Sequence, residues 1–487
     1  MVLTMAVSLY TSRVVLAALG VDDYGIYNVV GGIVAMFGFL NGAMSTSTQR
    51  YLTFELGRGD KEQLSKVFAT SINIHILIAL VVVILAETVG LWFLNNKMTI
   101  PADRMPAAQW VYQFSIASTA VLFISIPYNA IIIAHEKMSA FAYISILEVL
   151  SKLVIVIALT RFGGNRLIFY AALLAVLQIV LRLVYGIYCR RNFEEVTYRL
   201  HLDKSLTKEM LGFSMWNLWG SFSSVCMTQG LNIVLNMFYG PAINAASGIA
   251  VQVQGAVMQF AQNFQMALNP QIIKYYAKGE LDQMHMLVCR SSRFSFCLLL
   301  CICLPIFIEA ETLLGIWLKE VPEYSAIFLR LILCVSVIQS VANPLMTSAQ
   351  ATGKVKVYQS VVGGIQICSL PAGYVALRLC DSPEWVFITE IGVVVAAFVV
   401  RLLIIRPMIR LRLRRYFSDV IVRCIITGTA ATAVTELFKH LMPEGSWYSL
   451  AVCTTAVIFS ALATICLGMT DGERHKVLAK TFSIFRK

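Results

Sequence analysis

Glu148 and Lys152 lie four residues apart inside an apolar stretch, on one face of the same helix, and Gln178 and Arg182 repeat that spacing in the next stretch. Arg13 lies seven residues before Gly20, about 10 Å into its own apolar stretch. Arg330, Glu87 and Glu390 are also set among apolar neighbours. Charge is costly inside hydrocarbon, so ionisable residues at such depth are candidate sites for charged ligands or ions. Arg13 and Arg182 have no carboxylate on their own helix. A guanidinium offers a planar fork that grips a phosphate or carboxylate through two parallel hydrogen bonds, so both suit an anionic ligand. Glu148 and Lys152 can also be read as a self-neutralising pair, and Arg330, Glu87 and Glu390 as charges that reach the outer surface.

Uncharged polar residues form stripes. Asn217, Ser221, Ser224, Thr228 and Asn232 fall within about 80° of one another at 100° per residue. Gln252, Gln259 and Asn263 share a face of the following stretch, with Gln254 and Gln265 on another. Such groups either glue packed helices or line a water-filled cleft, because lipid satisfies none of them.

The elements that position these residues are membrane spans. The chain is 58% hydrophobic and 14% charged, and apolar stretches of about 20 residues recur along it. Fourteen are expected, which makes the fold class an all-α polytopic membrane protein. A repeat orders them. At an offset of 220, Gly20 falls on Gly240, Gly59 on Gly279 and Gln63 on Gln283; at 217, Pro127 meets Pro344 and Lys137 meets Lys354. Ser224, Thr228 and Asn232 map onto Thr4, Ser8 and Ser12, so the first span carries the same stripe. Parallel repeats of this kind mark one class of secondary transporter, with the substrate site at the repeat interface. The expected layout is a six-span lobe over 1–188, a linker over 189–210, a second six-span lobe over 211–405, a basic linker over 406–418, two further spans over 419–469, and a tail over 470–487.

Charge placement sets orientation. The segments after the even-numbered spans, with the tail, hold about 25 Lys and Arg, and the intervening loops about 6. The positive-inside rule then expects both termini in the cytoplasm. The net charge of +12 is thus a topology signal and a source of contact with anionic lipid, not a sign of nucleic-acid binding. The first span starts at the first residue without a basic flank, so a short upstream segment is expected.

Catalysis finds no support. The longest outer loop, about 95–108, is too short for a catalytic domain. His75 is the one histidine inside a span, no Walker-type glycine loop occurs, and no CxxC pair is present among the 12 cysteines. No cofactor and no metal are expected.

The run Ser12-Arg13-Val-Val-Leu-Ala-Ala-Leu-Gly20-Val-Asp-Asp-Tyr24-Gly25-Ile-Tyr27, with Glu55-Leu-Gly-Arg-Gly59-Asp after the second span, resembles the Wzx-type O-antigen flippases. These are the polysaccharide-export branch of the multidrug/oligosaccharidyl-lipid/polysaccharide (MOP) superfamily. The resemblance implies a two-lobed transporter in the bacterial inner membrane. It would flip an undecaprenyl-diphosphate-linked oligosaccharide from the inner to the outer leaflet by alternating access. The polysaccharide polymerase and glycosyltransferases are implied as further partners. It also implies a cationic cleft, in which Arg13, Lys152 and Arg182 would bind the diphosphate or acidic sugars. Glu87, Glu148 and Glu390 depart from that pattern and are candidates for ion coupling. A cation-coupled multidrug efflux pump of the same superfamily and a polysaccharide-pathway membrane enzyme are the alternatives. Such a pump usually carries an acid in its first span, where this chain has Arg13.

Overall fold

The computed structural model describes residues 7, 11, 14–15, 17–20, 23–27, 30–31, 34, 37–98, 100–196, 203–318, 321–442, 447–470 and 472–474. Among these the regular structure is helical. Ten helices are long and apolar enough to cross a membrane. They are α2 (Lys61–Asn96), α3 (Met105–Ala134), α4 (Met138–Arg161), α5 (Arg166–Asn192), α7 (Leu281–Ile308), α8 (Ser325–Ala351), α9 (Lys356–Leu379), α10 (Trp385–Ile409), α11 (Leu413–Leu441) and α12 (Tyr448–Gly468). Before α2 comes α1 (Gly38–Arg58), and between α5 and α7 runs α6 (Lys204–Ala277), interrupted at Gly240. The all-α polytopic membrane class is therefore established. Of the fourteen expected spans, the first falls largely and the second partly outside the described residues. The seventh and eighth form α6, whose amide and hydroxyl stripes lower its hydropathy.

Helix starts follow the local chemistry. Asp60 accepts a hydrogen bond from Gln63 N at 2.9 Å and Asn165 from Ile168 N at 3.2 Å, each satisfying a donor the first turn leaves free. The stops carry the repeat. Gly20 and Gly240 have φ of +82° and +77°, and Gly59 and Gly279 both have +77°. At the 217 offset, Glu136 and Gly353 take +60° and +76°. Left-handed backbone is rare outside glycine. Its recurrence at three equivalent pairs shows that both copies turn at the same places.

The chain divides into two compact units, 1–218 and 219–487. In the first, Val111, Tyr112, Leu94, Leu167 and Ala171 make a buried core. The Tyr112 hydroxyl donates to Ala86 O at 2.7 Å, where α2 loosens into a π-turn over Ala86–Gly90. The start of the expected 189–210 linker is pinned to this unit. Glu194 pairs with Lys61 at 2.9 Å, Ser65 Oγ donates to Glu195 O at 3.3 Å, and the Glu195 carboxylate bonds His135 Nε2. Phe193 stacks on the His135 ring at 4.2 Å.

The second unit packs α6, α7, α8 and α10 around Leu231, Leu235, Leu299, Phe328 and Phe387. Glycines let α6 and α9 approach closely: a Cβ at Gly363 would stand 2.7 Å from Ser223 Oγ, and one at Gly230 2.2 Å from Leu370 Cδ2. Within the basic stretch over 406–418, α10 ends at Ile409 and α11 begins at Leu413. Helices α11 and α12 are tied to α7 at both ends, by Arg293–Glu473 at one and by Glu309–Lys439, 3.0 Å, at the other.

Candidate functional site

The first unit holds an open cavity of ≈ 430 Å³, within the range of small-molecule sites. Among the described residues its cationic lining residue is Lys152, fourteen residues into α4 and so about 21 Å from that helix's start. Lys152 Nζ lies 2.6 Å from Glu148 Oε1, one turn back on the same helix. Both side chains are partly exposed, at 43% and 34%, so a ligand that reaches Lys152 meets an ammonium already neutralised on one side.

Hydroxyls and aromatic rings complete the wall. Ser115, Ser118 and Thr119 come from α3, and Gln178 and Tyr170 from α5. Ser115 Oγ donates to Val111 O at 2.8 Å and Ser118 Oγ to Phe114 O at 2.7 Å, which directs their protons into the helix and leaves oxygen lone pairs as acceptors. Tyr27 and Tyr170 meet edge to face at 5.1 Å. An aromatic face with a hydroxyl rim, acceptor oxygens, an amide and one ammonium suits a polyhydroxylated ligand that carries negative charge.

The expected site residues divide. Arg13 lies outside the described residues, as do Thr4, Ser8 and Ser12. Lys152 lines the cavity. Arg182 does not: its guanidinium sits over the Tyr128 ring at 3.7 Å, in space left by Gly186 one turn on. Cation–π stacking supplies the partner that no carboxylate among the described residues provides. Glu87 accepts from Gln113 Nε2 at 3.2 Å near the end of α2. Arg330 reaches Phe307 O at 3.0 Å and Glu311 at 3.4 Å.

The α6 stripe is partly a seam. Asn217 is buried and donates to Phe213 O at 3.1 Å, Ser221 is half-buried, and Ser224 bonds Gln366 at 3.4 Å. Gln265 is buried as glue, donating to Ser295 Oγ and Ser340 O. Gln252 and Gln259 are exposed, and Asn263 donates to Gln259 O at 2.8 Å. Thr228 and Asn232 reach further. In the second unit they line a pocket of ≈ 10 Å³, room for about one water, together with Glu390. Glu390 is 5% exposed, and among the described residues no cation pairs with it. Asn232 Oδ1 accepts from Ser247 Oγ at 2.6 Å, which fixes the amide beside the carboxylate.

Three features escaped the sequence reading. Ser115, Ser118 and Thr119 follow the i, i+3, i+4 spacing that revealed the α6 stripe, so the same test applied to the fourth span finds them. Tyr170 gave no signal, because aromatic residues are common in spans, and Tyr27 entered only as the end of the run that carries the resemblance. Arg401 is 9% exposed in α10, with its guanidinium 5.8 Å from the Tyr358 ring. It lies 219 positions after Arg182, close to the repeat offset, and each copy thus stacks a deep arginine on a tyrosine.

A family model described as "Polysaccharide biosynthesis protein" matches residues 2–248. Among curated proteins none matches the chain in sequence. Solved structures do match. The outward-facing conformation of a multidrug resistance MATE family transporter of the MOP superfamily superposes with a TM-score of 0.71 at 15% identity, covering 84% of this chain and 94% of that one. A MOP superfamily transporter from Pyrococcus furiosus Vc1, described as having a binding pocket of reverse polarity, gives 0.69 at 15%, covering 84% and 93%. The MATE transporter ClbM in complex with Rb+ gives 0.68 at 15%, covering 84% and 94%.

Proposed function

This chain belongs to the polysaccharide biosynthesis protein family, a membrane transporter in the polysaccharide branch of the MOP superfamily, and on that premise we propose that it flips an undecaprenyl-diphosphate-linked oligosaccharide from the inner to the outer leaflet of the bacterial inner membrane by alternating access. The observation that carries this reading is the Lys152 cavity: one ammonium among tyrosines, hydroxyls and an amide. A multidrug pump for lipophilic cations has no use for an ammonium in its wall. Sugar hydroxyls and phosphate use every group there. Arg13 belongs to the same proposal as a further contact with the diphosphate, and both termini are placed in the cytoplasm.

Coupling is assigned to Glu390. A buried carboxylate beside Asn232 and Thr228, with space for about one water, is built to exchange a proton or a small monovalent cation. ClbM, which shares the fold, is described in complex with Rb+.

The deciding experiment removes the chain from a cell that makes the glycan. Surface polysaccharide should disappear while its lipid-linked precursor is still made and accumulates on the cytoplasmic side. Absence of the precursor would point to an enzyme instead. Normal surface polysaccharide with drug hypersensitivity would favour efflux.

A further inference from the structure

At one end of the second unit, where α7 and α11 begin and α12 finishes, lies a cavity of ≈ 330 Å³ that the transport reading does not use. Four arginines line it: Arg290 and Arg293 from α7, and Arg412 and Arg415 from the start of α11. Three carboxylates, Asp282, Asp419 and Glu473, also face it, so the lining keeps an excess of positive charge.

The internal pairing leaves that excess available. Glu473 is shared: its Oε2 bonds Arg293 Nη2 and accepts from Thr470 N at 2.9 Å, while its Oε1 stands 3.5 Å from Arg290. Asp419 lies 3.4 Å from Arg415 Nε, and its backbone oxygen accepts from Arg293 Nη1 at 3.0 Å. Arg293 is 3% exposed and its Nε has no partner. A guanidinium so buried, with one N–H left unpaired, keeps a fixed positive charge in the cavity wall that an anion stabilises. Arg412 is exposed at the rim and makes no ion pair among the described residues. At this polar mouth Met286, itself a lining residue, presents bare apolar surface, 61% exposed.

We infer that this cavity binds the phosphate of an anionic membrane phospholipid, with the headgroup on Arg290, Arg293 and Arg412 and the acyl chains leaving past Met286. Basic pockets between the ends of spans are suited to such headgroups. The apolar margin selects a lipid over free phosphate, and Glu473 acts as an internal counter-ion that the headgroup partly displaces.

The test is native mass spectrometry of the full chain released from micelles containing phosphatidylglycerol and phosphatidylcholine. The wild type should retain phosphatidylglycerol selectively. Arg290→Gln with Arg412→Gln should cut that retention on the order of tenfold. Arg412→Gln alone, at a side chain that makes no ion pair among the described residues, should cut it measurably without changing the melting temperature. Glu473→Gln should raise retention, because two arginines lose their internal competitor. Lys204→Gln with Lys208→Gln removes the same charge from the first unit and should change nothing. Three results would each overturn the proposal: loss of retention in the lysine control, weaker retention in Glu473→Gln, or complete displacement of the lipid by millimolar inorganic phosphate.

Discussion

Lys152 Nζ and Glu148 Oε1 stand 2.6 Å apart on one face of α4, and the ammonium lines the cavity of the first unit while the carboxylate does not. The pair is therefore asymmetric towards a ligand, although it is neutral as a whole. An anion entering the cavity competes with Glu148 for the same proton-rich head.

The first prediction follows from that competition. Lys152→Gln should lower glycan export at least tenfold at normal membrane abundance, the worth of about one charge-assisted contact. Exchanging the charges, Glu148→Lys with Lys152→Glu, should keep the protein abundant and leave export lost, since the cavity would then hold a carboxylate. Export restored by the exchange would make the pair structural only.

Glu390→Gln should uncouple transport. In liposomes with an imposed proton or sodium gradient, the wild type should move the lipid-linked oligosaccharide faster than without the gradient, and the variant should show no such difference. Abundance should hold or rise, because an unpaired carboxylate leaves the interior. A variant that still responds to every gradient would exclude Glu390 from coupling.

Glu195 supplies a pH dependence. Burial pushes its carboxyl up, but the hydrogen bond with His135, a backbone hydrogen bond and the nearby Lys61 ammonium together outweigh burial and hold it below the ordinary carboxylate range. A depressed carboxyl stabilises the fold fully above its unfolded value, near about 4.3, and loses that contribution as pH falls through the lower folded value. Glu195→Gln should therefore melt a few degrees below the wild type at pH 7, reflecting about 1–2 kcal/mol. The gap should narrow below about pH 4. A gap independent of pH would remove Glu195 as its cause.

Gly59 and Gly279 test the repeat. Each has φ of +77° and nothing within 4 Å of an added Cβ, so alanine there costs backbone strain and little else. Gly59→Ala and Gly279→Ala should each lose about 1 kcal/mol, and asparagine at either site less. Unequal losses in chemical denaturation would mean that the two turns are not equivalent.

Much of this was legible in the chain because its signals are periodic. Apolar runs gave the spans, and the paired glycines gave turns that the backbone repeats. Glu148 and Lys152 met because four residues on a helix is one turn. Arg182 misled because sequence shows missing carboxylates but not an aromatic face, and Tyr128 lies 54 positions away on another helix. The union of Glu390 with Thr228 and Asn232 was hidden for the same reason. Each was readable as a polar residue in a span, and only packing of α6 on α10 brings them to one pocket.

The two ties between α7 and the α11–α12 hairpin have a mechanical consequence. Arg293 and Glu309 are sixteen residues apart, about 24 Å along α7 and most of the thickness of a bilayer's hydrocarbon core. Sliding the hairpin along α7 by a single turn would break both ion pairs at once, whereas carrying it along breaks neither. Any stroke made by α7 is thus inherited by the hairpin, which adds lateral drag and lipid-facing area to that helix and gives it no hinge of its own.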